Sequence, residues 1–418
     1  AQKADILRLC KDLKPLDYVT AWYFKAADFM YSKNTFRDTK SPNELLSVIQ
    51  KVDENNFRDT KIHDEIISVR QKFDENNFCK DKNTSETISV KTKIRAAFVS
   101  TNSITQGEQV APLWKILDKM VHIDFAHRTF KWTSESENMA AVHCVIIGFS
   151  AAPNNNPKII FDGDKKILAK NINGYLQDAP NIYIEKRKIP LQDFVPRMIR
   201  GNMPIDGGNL FLNSEEREEI LQRFPAAKKF IRPCIGGEEF LKGKKRFCLW
   251  FVDVPIEKIK KFPEIYRRVE AVKNFRKKSS RERTKKLAEV PQLFGEIRQP
   301  KNFYLAIPEI SSENRKYIPI DFLDENFIPT NRLQIIPDAN LFHFGVLTSS
   351  VHMAWTKNFC GRLEMRFIYS AKIVYNNFVW CESSAENVEK ISSTAEKILR
   401  VRKNFSDKTL AYLYNEKT

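Results

Sequence analysis

The sequence predicts an α/β chain: the closing half of a doubly wound, Rossmann-like sheet, then a larger mixed α+β region, then a terminal helix. Three observations predict it. Arg95–Glu108 reads as a buried strand that ends in a polar turn and runs into a helix, which is how open α/β sheets present ligand-binding residues at the carboxyl ends of their strands. Ala140–Gly148 is nearly all apolar, as a strand covered on both faces must be. Beyond Pro157 the alternation stops, and short strands, Pro/Gly turns and a few helices take over.

Taken in order, residues 1–31 read as helical. Leu16–Val19 leads into a segment around Trp22, Tyr23 and Phe24 with apolar groups on more than one side, suited to packing on a sheet. Residues 34–93 are an inserted arm of 21-residue repeats: Asn34–Lys40 recurs as Asn55–Lys61 and, degraded, as Asn76–Lys82. The period matches no familiar solenoid. The arm therefore reads as a tandem duplication within an existing connection, with three heptads of helix as the alternative, and it is assigned no chemistry. Ala96–Ser100 resumes the sheet, and Val110–Val121 is an amphipathic helix. His122–Trp132 and Ala140–Phe149 are strands joined by the polar turn Thr133–Asn138. Residues 1–150 thus form a first unit, a half-sheet with an antiparallel edge. Residues 158–378 form a second. Residues 379–418 are a C-terminal helical segment, in which Ser384 precedes a helix striped by Val388, Ile391, Ala395 and Ile398.

Charge bounds the partners. Sixty-nine Lys and Arg against 52 Asp and Glu give a formal net charge of +17, with an isoelectric point of about 9.4. Cations gathered on one face bind a polyanion by displacing counterions from phosphates; a diffuse excess marks only a basic soluble protein. Here the excess is clustered, since residues 257–289 carry thirteen Lys/Arg against five Glu. Ile265, Val269, Val272 and Phe275 mark a helical apolar stripe in that segment. Arg267, Arg268, Lys273, Arg276, Lys277 and Lys278 fall largely off it and are candidate phosphate contacts. Seven cysteines without a Cys-x-x-Cys, and six scattered histidines, give no metal-site spacing and fit a reduced, cytoplasmic compartment. No run approaches the ~18 apolar residues of a spanning helix, so no membrane partner is expected. His127, Arg128 and His143 read as strand residues rather than general bases, and Asp206–Gly208 as a tight structural corner.

A set of blocks then falls into register with a known family. Leu16–Val19 with Lys25–Ala27, Ala97–Gln109, Phe125–Trp132, Ala141–Phe149, Met203–Leu210, Arg246–Trp250, Ser311–Arg315, His343–Ser349, Cys360–Leu363 and Val374–Phe378 resemble, in order, the MmeI-like (type IIL) DNA methyltransferases. The resemblance covers nearly everything but the repeat arm. It implies a class I, S-adenosylmethionine-dependent enzyme of a restriction–modification system that methylates the N6 amine of adenine in duplex DNA, with 158–378 as its target-recognition domain.

The resemblance also exposes departures. Such enzymes hold the cofactor on a Gly-rich turn and the adenine amine on an Asn-Pro-Pro-aromatic loop. In that loop the Asn side chain and a Pro carbonyl accept from the amine, while the ring stacks on the flipped base. Neither motif occurs in this sequence. The chain therefore looks like the C-terminal portion of such an enzyme, without a catalytic residue of its own. Alone it is expected to be inactive and to bind no S-adenosylmethionine; activity would require an N-terminal half, as a separate polypeptide or as preceding sequence. The alternative is a catalytically inactive fragment that still binds DNA.

The same resemblance puts Ser100, Thr101 and Asn102 at the periphery of the cofactor and base pocket, although they would equally suit a turn capping the next helix. It puts Glu364 and Arg366 in the base-reading part of the second unit. Residues two apart on a strand share a face. A carboxylate can accept from cytosine N4, and a guanidinium can grip guanine O6 and N7, so the two together would read one C·G pair. The competing reading is a surface ion pair.

Overall fold

The computed structural model describes residues 16–35, 95–132, 142–151 and 156–415. Residues 1–15, the repeats beyond residue 35 and the turn 133–138 lie outside these residues. Helix α1 (Thr20–Thr35) precedes a five-stranded sheet built from β1 (Arg95–Thr101), β2 (His122–Trp132), β3 (Val142–Ser150), β4 (Lys158–Asp162) and β5 (Lys165–Ala169). Strand order is β1-β3-β2-β4-β5. β3 runs antiparallel to both β1 and β2. The antiparallel strand expected at the edge therefore lies inside the sheet. The cause is the connection: helix α2 (Val110–Leu117) carries the chain from β1 past one open lane to β2, and β3 returns into that lane. β4 pairs parallel with β2, and β5 folds back on β4. Residues 158–169, where the sequence pattern changes, thus extend this first sheet.

One face of the sheet is covered by α1 and α2. Ala96, Phe98 and Ser100 of β1 turn inward, and the intervening residues turn out. Tyr23 of α1 is fully buried; it stacks on Phe149 at 5.6 Å and meets Phe98 and Trp114 edge-on at 5.1 and 6.1 Å. Each such aromatic pair adds about 0.5–1.5 kcal/mol beyond area burial. Trp114 of α2 also donates its indole N–H to the Ile104 carbonyl at 3.1 Å, which ties the helix to the turn leaving β1. On the opposite face Val99 is 52% and Leu168 72% exposed.

The rest of the described chain builds three small sheets. The antiparallel sheet of Asp321–Leu323, Tyr304–Pro308, Leu333–Pro337 and Ile199–Arg200 has a fully buried strand, Tyr304–Pro308, which is why that strand is apolar throughout. A second sheet joins Ile328–Pro329, Ile231–Ile235, Phe247–Leu249 and Phe211–Leu212. Helix α3 (Pro263–Lys277) packs Ile265, Val269 and Val272 into the core of that sheet. The third sheet is Ile310–Ser311 with the hairpin Gly361–Leu363/Arg366–Ile368. Helix α4 (Ser350–Phe359) leads directly into that hairpin. Helix α5 (Ala385–Lys403) starts where the sequence signals it, with the Ser384 hydroxyl accepting from the Asn387 amide at 3.3 Å.

Candidate nucleic-acid interface

The turn at the end of β1 separates the three residues that the sequence groups together. Ser100 is buried and shares a 2.8 Å hydrogen bond with the Tyr23 hydroxyl, so it belongs to the core under α1 rather than to a pocket rim. Burial pushes the Tyr23 phenol well above its ordinary pKa, so this pair stays neutral. Thr101 is exposed, and its hydroxyl pairs with Ser103 at 3.0 Å. Ser103 in turn donates to Asp17 at 2.6 Å. Asn102 is buried and points elsewhere, with its amide 3.5 Å from the backbone carbonyl of Glu364. None of the three described helix starts beyond β1 draws a side-chain cap from this turn.

That last contact brings the β1 turn against the hairpin. Leu363 pairs with Arg366, which leaves Glu364 and Met365 as a two-residue turn. Glu364 takes φ +59° there. The expectation that Glu364 and Arg366 share one strand is therefore corrected: Glu364 is the first turn residue and Arg366 opens the returning strand. The side chains still converge, at 2.9 Å, and both are substantially exposed, at 59% and 42%. Arg362 braces the hairpin from below. Its guanidinium lies 4.1 Å over the Phe367 ring and donates to the Met365 and Lys357 carbonyls at 3.0 and 2.9 Å. Gly107, in the β1 turn, abuts Gly361 backbone to backbone.

Between the two elements lies a cleft of about 230 Å³, lined among others by Asn102, Gln106, Arg128, Asp162, Lys357 and Arg362. Three cations face one carboxylate there. Arg128 is held by Asp162 at 2.8 Å and by the Leu176 carbonyl at 3.2 Å. Lys357 is exposed. The sequence does not single out Lys357 or Arg362, because neither sits in a charge run. His127 stacks on Phe161 at 5.9 Å, as a strand residue should.

Helix α3 overturns part of the phosphate assignment. Arg276 is fully buried and donates to five backbone carbonyls, those of Pro204, Ile205, Leu287, Val290 and Leu293, at 2.7–3.0 Å. Burial lowers its pKa from the usual value, and the nearby Asp206 carboxylate opposes that shift. Arg268 is also engaged, by the Asn209 and Phe211 carbonyls and by Glu216. Neither is available to a phosphate. Arg267, Lys277 and Lys278 are exposed, and Lys273 is half-buried, 4.0 Å from Glu270. Phe275, read as part of the apolar stripe, is 47% exposed. The Asp206–Gly208 corner is structural: Asp206 accepts from the Gly208 and Leu210 amides at 3.0 and 2.7 Å.

Among the described residues no cluster of three or more His, Cys, Asp or Glu side chains could hold a metal. No described helix is long and apolar enough to cross a membrane.

A five-stranded mixed sheet covered on one face by two helices and followed by a larger mixed α+β region defines the structural class. Residues 60–162 match the family described as MmeI, DNA-methyltransferase domain, and residues 178–382 the family described as MmeI, target recognition domain. The chain belongs to this MmeI-like family. It is 39% identical over 328 residues to DNA methyltransferase A of Bacillus subtilis (strain 168), covering 78% of this chain and 37% of that protein. The solved structure of the type IIL restriction–modification enzyme MmeI in complex with DNA superposes with a TM-score of 0.83 at 38% identity, covering all of this chain and 49% of that one. The chain thus spans about half or less of the length of these relatives.

Proposed function

We propose that this chain is the sequence-reading part, with the closing strands of the catalytic sheet, of a site-specific DNA (adenine-N6) methyltransferase, and that it binds duplex DNA in the cytoplasm. Of residues 158–378, the part beyond the first sheet acts as the target-recognition domain, in line with the family match over 178–382. Glu364 and Arg366 read base edges, while Arg267, Lys273, Lys277 and Lys278 lie along phosphates. One observation carries this reading: an exposed hairpin bearing an acid–Arg pair sits directly against the turn that leaves β1. Chemistry and base recognition would meet at that junction.

S-adenosylmethionine would serve the complete enzyme. The residues present do not fit it: the Ser100 hydroxyl is taken up by Tyr23 and the Thr101 hydroxyl by Ser103, and the sequence holds neither a Gly-rich turn nor an Asn-Pro-Pro-aromatic loop. Methyl transfer therefore awaits an N-terminal half, from a second polypeptide or from preceding sequence. Of the candidate pocket residues, Thr101 and Asn102 keep a place at its periphery.

The test has two arms. Affinity of the 418-residue chain for duplex DNA should fall steeply as salt rises. Labelled methyl transfer from S-adenosylmethionine should be undetectable with this chain alone and should appear when the N-terminal half of a homologous enzyme is supplied. Salt-independent binding would remove the phosphate contacts, and turnover by the chain alone would overturn the division of labour.

A further inference from the structure

We propose that Gly107, assisted by Asn102, sets the position of the 361–368 hairpin and is thereby a specificity-determining position that touches no base. The inference rests on the reading that this hairpin contacts base edges. Gly107 has φ +58°, and a Cβ there would stand 2.8 Å from the Gly361 Cα and 3.0 Å from its nitrogen. Both are backbone atoms, so any larger residue must push the first hairpin strand away. The tightness is one-sided. A Cβ on Gly361 would meet nothing nearer than Ile368 Cβ at 3.8 Å, an ordinary contact.

The hairpin is short enough to pass such a shift on. Each strand has three residues, and the turn at Glu364 comes directly after Leu363. Asn102 holds the far end of the same lever through its long contact with the Glu364 carbonyl, at 3.5 Å. On the other side Arg362 ties the hairpin to the last turn of α4 through the Lys357 carbonyl. The tip is thus clamped between the β1 turn and α4. The returning strand is fixed by its backbone pairing with Ile310–Ser311; on the first strand, the contact with Gly107 is also backbone against backbone. Gly107 and Asn102 are positioning residues: they act on DNA only through the hairpin.

The experiment uses the whole 418-residue chain. Binding to a randomised duplex pool followed by sequencing gives base preference, fluorescence anisotropy gives affinity, and a urea midpoint checks folding. Gly107→Ala and Gly107→Asn should each lower the ratio of preferred to random-duplex affinity about tenfold, the order expected for one displaced base contact. Asparagine tolerates positive φ far better than alanine, so equal effects assign the loss to the backbone contact rather than to strain. Gly361→Ala should leave the ratio unchanged. Asn102→Asp, which sets a carboxylate against the Glu364 carbonyl, should lower it less.

An unchanged ratio in a folded Gly107 variant overturns the proposal. So does a Gly361→Ala effect as large as that of Gly107→Ala. Should both Gly107 variants fail to fold, Asn102→Asp decides, and an unchanged ratio there is fatal. The double variant Glu364→Ala with Arg366→Ala separates the two levels. If it shifts the preference while the Gly107 variants do not, the clamp is wrong and base reading stands. If it shifts nothing, or the chain binds no duplex at low salt, base reading by the hairpin fails and the clamp fails with it.

Discussion

Helix α3 and the 361–368 hairpin both announce themselves in the sequence by charge, and they use it in opposite ways. On the hairpin, Glu364 and Arg366 meet each other at the surface. On α3, Arg276 is as fully buried as Ile265, Val269 and Val272, a cation spent on five carbonyls of its own chain. Composition treats the two alike. What separates them is what the chain leaves unpaired nearby. Around Arg276, five carbonyls of 204–205 and 287–293 turn inward; those of Pro204, Leu287 and Val290 each accept from one backbone amide, while those of Ile205 and Leu293 are met by the guanidinium, and a buried acceptor without a donor costs about 1–3 kcal/mol. A guanidinium with five donors reaches all of them at once. Around the hairpin tip the backbone is paired, so its charges face outward.

The sharpest way to break this comparison is to remove the buried guanidinium. Arg276→Met keeps the stem and deletes the donors, so the Ile205 and Leu293 carbonyls lose the guanidinium that meets them, three further carbonyls lose a second donor, and Asp206 loses a nearby positive charge. The expected loss is on the order of 3–5 kcal/mol, read as a fall in the urea midpoint. If the midpoint holds and DNA affinity drops instead, Arg276 belongs with the phosphates after all.

How much of this is legible in the sequence follows from the same helix. The buried positions are 265, 269, 272 and 276, in steps of four, three and four, so helical spacing alone reaches Arg276. Residue type pulls the stripe one place short, to Phe275, which in fact lies over Gly207. Spacing was the better guide. The strand boundaries of β2 and the start of α5 were legible because apolar patterns and a serine cap are local signals. The turn at Glu364 was not, because neither Gly nor Asn marks it, and a glutamate at positive φ is uncommon. The lane taken by β3 was not either, since strand order depends on pairing across the chain. The Gly107–Gly361 contact joins residues about 250 positions apart, and no local pattern records it.

A second prediction sharpens the contrast beneath the hairpin. His352 of α4 is buried and bonded to the Tyr369 hydroxyl at 2.8 Å, just past the hairpin's returning strand. Burial pushes its pKa down to about 3. The unfolded chain protonates this histidine below about pH 6.5 while the folded chain does not. Stability is therefore full above that value and falls as pH drops from about 6.5 toward 3, by about 1.4 kcal/mol per pH unit at most. His352→Gln should flatten that part of the pH–stability curve. An unchanged slope would mean that His352 is protonated in place. Hydrogen exchange should show the hairpin loosening in this window before α3 does.

A third prediction returns to α3. Of the four cations proposed to lie along phosphates, Arg267, Lys277 and Lys278 are the exposed ones. Changing all three to Gln should leave the urea midpoint within about 0.5 kcal/mol, as at ordinary surface sites. It should weaken all duplexes alike and lower the log–log salt slope by about one for each phosphate no longer neutralised. A change in which sequences are preferred would move α3 from the backbone to the bases.

The smallest stability effect belongs to the pair with the largest expected effect on choice of sequence. Glu364 and Arg366 form an exposed ion pair, worth under about 1 kcal/mol to folding. Exchanging the signs with Glu364→Lys and Arg366→Asp keeps an opposite-charge pair across the same turn, so the urea midpoint should hardly move. A carboxylate then stands where the guanidinium stood, and an ammonium where the carboxylate stood. Donor and acceptor demands on the base edges are reversed, and the preferred pair should pass from one orientation of C·G to the other. The turn position adds a check that two residues on one strand would not allow. Glu364 sits at φ +59°, so Glu364→Gly removes the carboxylate while easing the backbone. It should keep or slightly raise stability and abolish discrimination at that base pair. If the sign exchange and the glycine both leave the preferred sequence intact while affinity falls, the pair acts on DNA only through its charge, and the hairpin would then differ from α3 in place but not in kind.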